Sequence, residues 1–499
     1  MPAPNLRQQI QELPLAMVGG TQFGRYPKIS DEQTFNFIIS DNALVPYAGY
    51  KSVTSSPNSP GRGIYSSSRG NIMIAVWGAQ VYSININLQA TLILGLGLAT
   101  SSGDVYISEN NNAEIAITDG ARLYVYNWST PLLPLQRSDV DFMVGTFPIS
   151  SPGFVSFQNG RLIIANLGSQ NWYLSGENDA TMWDINPATA NHGYVGALQS
   201  KPDSIQAAVP TPGGGNNILI FGRNVVEQWQ DIGAAKFPYQ RASTFNVDYG
   251  TLNASSISAL DNYVVWLAGN EQSGATLMVF DGRSAKSIST DGMDFKFASL
   301  SNPSNCSGFL FRQDGHVIYQ FTFVTDNLSY AYDINTGKFF TVTDEKLDYH
   351  IACDVVFFGN QYYFVSFKGG DLFQFGTQYT NAQYADDDIQ PLPRIRITPP
   401  SRLVSQLPFI IKSLGFTIEN GAPNGVTQDN TLESVDLSVS RDGGESFGNS
   451  LRLDMNATGK RRSRFIYQRL GRANDATFQI RFNGYGRFVV LDGQIEVYQ

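Results

Sequence analysis

Cysteine is almost missing from this chain: Cys306 and Cys353 are the only two among 499 residues. Two cysteines allow at most one disulfide, which nothing in the sequence supports, and two free, buried thiols in a protein made in the cytoplasm are expected. Histidine is nearly as rare, with His192, His316 and His350. No two of them have the spacing of a zinc motif such as HExxH, and there is no CxxC, GxSxG elbow or Walker loop. Charged residues make up only 15%, against a usual quarter, and the net charge of −9 excludes a nucleic-acid binder by bulk charge. Long apolar runs are absent too. The most apolar stretch, "ATLILGLGLAT" (90–100), is too short to span a bilayer as a helix. The N-terminus has no basic start, long apolar run or cleavage site, so no signal peptide is expected. No segment sustains a helical period, and helices should be scarce.

What the chain has in quantity is glycine (47), tyrosine (24) and phenylalanine (32), with 42% hydrophobic residues to build cores. These follow one recurring pattern: an apolar strand, a glycine-containing turn or short loop, then an aromatic-rich strand. It occurs from Asn71, Ala113, Gly160, Asn217, Asn262, Gly315 and Asn360, at intervals of roughly 40–60 residues expected for propeller blades. Stacking such units radially buries their apolar faces and leaves only short edges. In "YDINTGKFF" (332–340), Asp333 and Gly337 suit a blade-terminal turn, and Phe339 or Phe340 packs inward. Strand spacing alone also fits a pair of sandwiches.

A boundary follows. "TQYTNAQYADDDIQPLPRIRITPPSR" (377–402) carries the acidic run Asp386–Asp388 and then four prolines. Beyond it strands alternate cleanly, with Phe478, Ile480 and Phe482 on one face, and Ile495 and Val497 repeating the pattern. The expectation is an all-β chain: an N-terminal docking segment at 1–60, a β-propeller of six or seven blades at 61–385, a proline-rich linker at 386–402 and a β-sandwich-like domain at 403–499. Charge divides along the same line. Residues 395–499 hold 13 basic and 10 acidic residues, a net of +3. The remainder holds 34−13 = 21 basic and 43−10 = 33 acidic, a net of −12. Such a division suits contacts between copies or with partners, as well as two ordinary solvated surfaces.

Two motifs carry candidate function. "SRDGGESF" (440–447) has the Ser-x-Asp-x-Gly-x-x-Phe spacing of the Asp-box hairpin of sialidases. Ser440, Asp442, Gly444 and Phe447 are read as a structural turn: Asp442 bonds to nearby backbone, Gly443 and Gly444 take positive φ, and Phe447 tucks onto apolar surface. A sialidase also needs an arginine cluster and a base-activated tyrosine, which no spacing here picks out. "GKRRSRFIYQRLGR" (459–472) interleaves Lys460, Arg461, Arg462, Arg464, Arg469 and Arg472 with Phe465, Ile466 and Tyr467. It reads as a basic hairpin, either an interaction patch for carboxylates or phosphates, or a solvated face. No metal-binding carboxylate cluster accompanies it.

The order of several segments resembles the packaged-DNA stabilisation, or tail hub, proteins of short-tailed bacteriophages. The residues that carry the resemblance are "LVPYAGYKSV" (44–53), "GRGIY" (61–65), "GRLIIANLGSQNWYLSGENDATMWD" (160–184), "ILIFGRNVVEQWQDIG" (218–233) and "SRDGGESFG…YQRLGR…FQIRF" (440–482). The resemblance implies a virion tail component made in the cytoplasm of an infected bacterium. Six copies would form a ring below the portal and adaptor. The ring would help retain packaged double-stranded DNA, carry tailspikes or fibres and a needle or nozzle, and let DNA leave along its axis. It implies no catalytic residue, metal, cofactor or small-molecule substrate. The competing expectation is a glycan-binding or sialidase-like propeller.

Overall fold

The computed structural model describes residues 10–24, 31–55, 59–130, 148–213, 215–420, 433–455 and 462–498. It is almost wholly β, with one α-helix, Asp291–Ala298, among the described residues.

Seven small antiparallel sheets follow one another along the chain. Blade one is Gly61–Ser67, Ile72–Trp77, Gln80–Asn85 and Ala90–Gly97, and blade two is Tyr106–Glu109, Glu114–Thr118 and Leu123–Asn127. Blade three is Pro152–Gln158, Arg161–Asn166, Asn171–Leu174 and Tyr194–Ala197; blade four is Ile205–Pro210, Asn217–Gly222, Val226–Asp231 and Tyr239–Val247. Blade five has its inner strand split into Gly250–Thr251 and Ser258–Leu260, followed by Tyr263–Gly269, Thr276–Phe280 and Ala285–Ser287. Blade six is Cys306–Gln313, His316–Phe323, Leu328–Asp333 and Lys338–Thr341. Blade seven takes three strands in sequence, Ala352–Phe358, Gln361–Ser366 and Asp371–Gly376, and a fourth, Gly49–Ser55, from the N-terminal region.

Burial explains why these units form a ring. Each apolar cluster of this region lies between two consecutive blades. Ile163 and Trp172 of blade three meet Ile218 and Trp229 of blade four, and Phe221 of blade four meets Trp266 of blade five. The last cluster joins Val365 and Leu372 of blade seven to Met73 and Trp77 of blade one, which closes the circle. The propeller therefore has seven blades, shut by the pairing of Gly49–Ser55 with Asp371–Gly376. Cys306 and Cys353 are unbonded.

The C-terminal domain is two packed sheets over one core that includes Phe416, Phe465, Phe478 and Phe482. One sheet runs Phe37–Ser40, Ala43–Pro46, Phe488–Tyr498, Phe409–Asn420 and Arg462–Ala473, with Ile10–Leu15 also on Phe488–Tyr498. The other runs Gln33–Phe35, Arg394–Ile397, Asp475–Asn483, Ser434–Ser440 and Leu451–Asp454.

Two boundaries read from sequence are corrected. The first sixty residues are not a separate docking segment, because they give one strand to blade seven and four to the sandwich sheets. The proline-rich stretch is not a bare linker: Ile389–Pro391 extends the blade-seven sheet and Arg394–Ile397 lies inside the sandwich. Pro391 ends the first of these short strands and Pro393 precedes the second, so neither interrupts a strand. The sheets of the two domains also join, through a parallel bridge from Phe35 to Thr341 of blade six. Asn36, at φ +54°, fixes this junction. Its side-chain amide donates to Thr343 Oγ1 (2.9 Å) and the Pro393 carbonyl (2.8 Å), and its oxygen accepts from Thr343 N (2.9 Å). Buried Arg396 holds the preceding residues by donating to the carbonyls of Ala16, Met17 and Gly20, to Thr34 Oγ1 and to Glu32 Oε2.

Candidate interaction surface

The Ser440–Phe447 segment leaves the end of Ser434–Ser440, which forms a hairpin with Leu451–Asp454. Ser440 Oγ donates to Asp442 Oδ1 (2.6 Å) and accepts from Gly444 N (2.9 Å). Asp442 also accepts from the amide (3.1 Å) and hydroxyl of Ser446. These donors stabilise the carboxylate, which is held well below the usual aspartate range. Gly443 and Gly444 sit at φ +82° and +97°, and Phe447 is half-buried. Both Asp442 oxygens are thus occupied in shaping the loop. Arg441, which the sequence reading passed over, donates to the carbonyls of Leu470 (2.6 Å) and Arg472 (3.1 Å). It ties the turn to a kink in the facing sheet, where Arg469 and Gly471 have positive φ.

That kink belongs to the basic segment, which is not a hairpin. Arg462–Ala473 pairs along its length with Phe409–Asn420, whereas the following strand, Asp475–Asn483, lies in the opposite sheet. The chain turns a corner between sheets because Phe465, Tyr467 and Leu470 on one strand, and Phe478, Ile480 and Phe482 on the next, fill a shared core. Alternation then sends Arg462, Arg464, Ile466, Gln468 and Arg472 outward, and Arg469 is exposed at the kink. Lys460 and Arg461 lie outside the described residues.

The register shows what these side chains meet. Arg472 stands opposite Ile410, which stands opposite Tyr498; Ile466 stands opposite Gly415, which stands opposite Gln494. Gly415 has no side chain to fill its place, and Ile410, Tyr498, Gly415, Ile466 and Gln494 line a shallow hollow of about 700 Å³ together with Lys412, Arg464 and Arg469. Ile410 and Ile466 are 42% and 43% exposed, unusual for isoleucines on a sheet face. Two of the charges are answered: Arg462 Nε lies 2.9 Å from Glu419, and Lys412 lies 2.9 Å from Glu496. Arg464, Arg469 and Arg472 have no carboxylate within ion-pair distance among the described residues. A sheet face with exposed isoleucine, tyrosine and unpaired arginine has the composition of protein–protein contacts. Lys412 and Tyr498 were missed from sequence, although the inward placing of Ile495 and Val497 already turned Glu496 and Tyr498 outward.

The propeller axis holds a smaller cavity of about 190 Å³, lined by Arg62, Asp104, Tyr106, Ser255 and Asp354 among others. Arg62 is fully engaged, donating to the carbonyls of Gly78, Thr100, Ser102 and Gly103 and to Thr100 Oγ1. Burial pushes the Asp354 carboxyl up to about 6. The histidines are scattered. His192 lies against Tyr194, His316 bonds Asp333 at a turn, and His350 is buried among Tyr47, Tyr50 and Phe364. Among the described residues no group of three or more His, Cys, Asp or Glu is placed to hold a metal ion.

A family model described as bacteriophage P22 Gp10, beta-propeller, matches residues 26–376, and one described as bacteriophage P22 Gp10, beta-sandwich, matches residues 404–498. The chain belongs to the bacteriophage P22 Gp10 family. This is a family of structural tail-hub proteins associated with stabilising packaged DNA. Its propeller and sandwich descriptions fall on the two domains built above, in the same order. A comparison with curated proteins found no match. Among solved structures, a catalytically inactive virginiamycin B lyase from Staphylococcus aureus with quinupristin is 11% identical, covering 66% of this chain and 98% of its own, with a TM-score of 0.42. The computationally designed Ika8 protein is 13% identical, covering 65% and 98%, with a TM-score of 0.38.

Proposed function

We propose that this chain is the hub of a short phage tail. In this reading six copies close into a ring below the portal and adaptor. The ring helps retain packaged DNA, carries tailspikes or fibres and a needle or nozzle, and forms the wall past which DNA leaves. The observation that carries the reading is the match of both family domains, in order, across most of the chain. The size of the axial cavity adds a constraint. Residues from the first strands of six blades line this small cavity, so side chains fill the propeller interior. In this reading duplex DNA passes along the axis of the ring and not through a propeller. The acidic bias of residues 1–394, 33 acidic against 21 basic, suits a wall along which DNA slides without sticking.

The hub needs no substrate or cofactor. Its rival, a glycan-binding or sialidase-like propeller, drew on the Ser440–Phe447 turn. That turn lies in the sandwich, and its aspartate oxygens are engaged within the loop. Mass photometry of the chain with its portal–adaptor complex tests the hub reading, with bound hexamers expected; a chain that stays monomeric and never joins the complex would refute it. Incubation with sialylated and capsular glycans should release no sugar. Release abolished by one point substitution would restore the rival.

A further inference from the structure

We propose that the basic outer face of the sandwich docks onto the acidic blade-seven loop, Asp386–Asp388, of a second copy of this chain. The proposal rests on the hub reading and names the surfaces that would join its copies.

Both surfaces are sheet edges. Arg462–Ala473 is the last strand of its sheet, paired only with Phe409–Asn420 among the described strands. Ile389–Pro391 is the last strand of the blade-seven sheet, and the loop leading into it exposes Asp386, Asp387 and Asp388. Exposed edges are normally blunted with charge, and here the two carry opposite signs. On the basic side, Lys412, Arg462, Arg464, Arg469 and Arg472 outnumber Glu419 and Glu496 by three charges. On the acidic side, Lys51 lies 3.0 Å from Asp386, and Gln390 donates to Asp388 (2.7 Å). Asp387 has no ion-pair partner among the described residues.

The two surfaces lie at different distances from the interdomain junction. Asn381, at the base of the acidic hairpin, donates to the Tyr485 carbonyl beside the interdomain junction. Arg462–Ala473 lies four strands from Phe37–Ser40, the junction end of its sheet. Four strand spacings amount to about 19 Å. Two different, separated patches on one chain are what a closed ring requires, since each copy presents one to each neighbour. Arginine suits the contact because its planar fork bonds carboxylates through two hydrogens. The exposed Ile410 and Ile466 supply apolar area that charge alone does not.

The test is complementation of a phage lacking this gene, with variant chains supplied in the host and their copies per purified particle counted. Arg464→Glu with Arg472→Glu should lower incorporation at least tenfold, and so should Asp386→Lys with Asp387→Lys. All four changes in one chain should restore incorporation to within threefold of the unsubstituted protein. Circular dichroism and melting of each purified variant show whether it is folded. Folded charge-reversed pairs that incorporate normally would overturn the proposal. So would a four-fold variant that is folded but not rescued. Particles with intact rings that lose DNA only on reversal of the arginines would assign that face to phosphates instead. Failure of the unsubstituted chain to enter particles would refute the hub reading itself.

Discussion

At the scale of single residues, the fold depends on polar groups that the sequence pattern cannot mark. Asn36 is buried, left-handed and satisfied on three sides, and it links blade six to the sandwich. Asn36→Ala leaves the Thr343 amide and the Pro393 carbonyl unpaired and removes a side chain that tolerates the left-handed region, with an expected loss of about 2–4 kcal/mol in chemical denaturation. His350 and Asp354 make opposite demands on pH. Burial lowers His350 to about 3, so between its unfolded value near 6.5 and that figure only the unfolded chain takes the proton. Stability from this group is therefore lost as pH falls below 6.5, by up to about 1.4 kcal/mol per pH unit. Asp354, raised to about 6, keeps its proton in the folded state where the unfolded chain has lost it. Its contribution is lost as pH rises from about 4 to 6. The two slopes oppose each other in that window. His350→Asn, which retains an acceptor for the Ala352 amide, should make the melting temperature rise on acidification relative to the unsubstituted protein. Asp354→Asn should make it fall. Parallel pH profiles for all three proteins would refute this assignment.

At the scale of elements, the closing strand Gly49–Ser55 decides whether the ring shuts. A β-carbon on Gly49 would sit 2.6 Å from the Asn381 carbonyl oxygen and 2.8 Å from that of Tyr379, where no flexible side chain can yield. Gly49→Ala should cost about 1–3 kcal/mol. It should also speed amide exchange in Asp371–Gly376 more than in blade three, and uniform protection would count against closure there. The blades were legible because each of the seven recurrences is the second and third strand of a blade. Such strands are covered on both faces by neighbouring blades, as in Tyr263–Gly269, and so read as apolar runs. Outer strands such as Tyr239–Val247 are mostly exposed or half-buried and left no pattern. Gly49–Ser55 was missed because it pairs with residues more than three hundred positions away. Arg394 and Arg396 were unreadable for the opposite reason: both are buried, reversing the rule that charge marks the solvent face. On the candidate surface, Arg462, Arg464 and Arg472 alternate with buried Ser463, Phe465 and Ala473, and the sequence showed them only as part of a basic run. It could not show that their strand turns a corner into another sheet instead of folding back as a hairpin.

At the scale of the whole molecule, the two domains form one body, with strands from the N-terminal region built into both and a sheet that crosses between them. Such a body transmits load without a flexible linker, which suits a part held between a DNA-filled head and the appendages of a tail. The central claim, a hub that keeps packaged DNA in place, is tested most directly by imaging particles assembled without this chain and counting DNA-filled heads and tails. The account predicts heads that package DNA and then lose it, with no spikes, fibres or needle attached. Stable, DNA-filled particles with complete tails would contradict it.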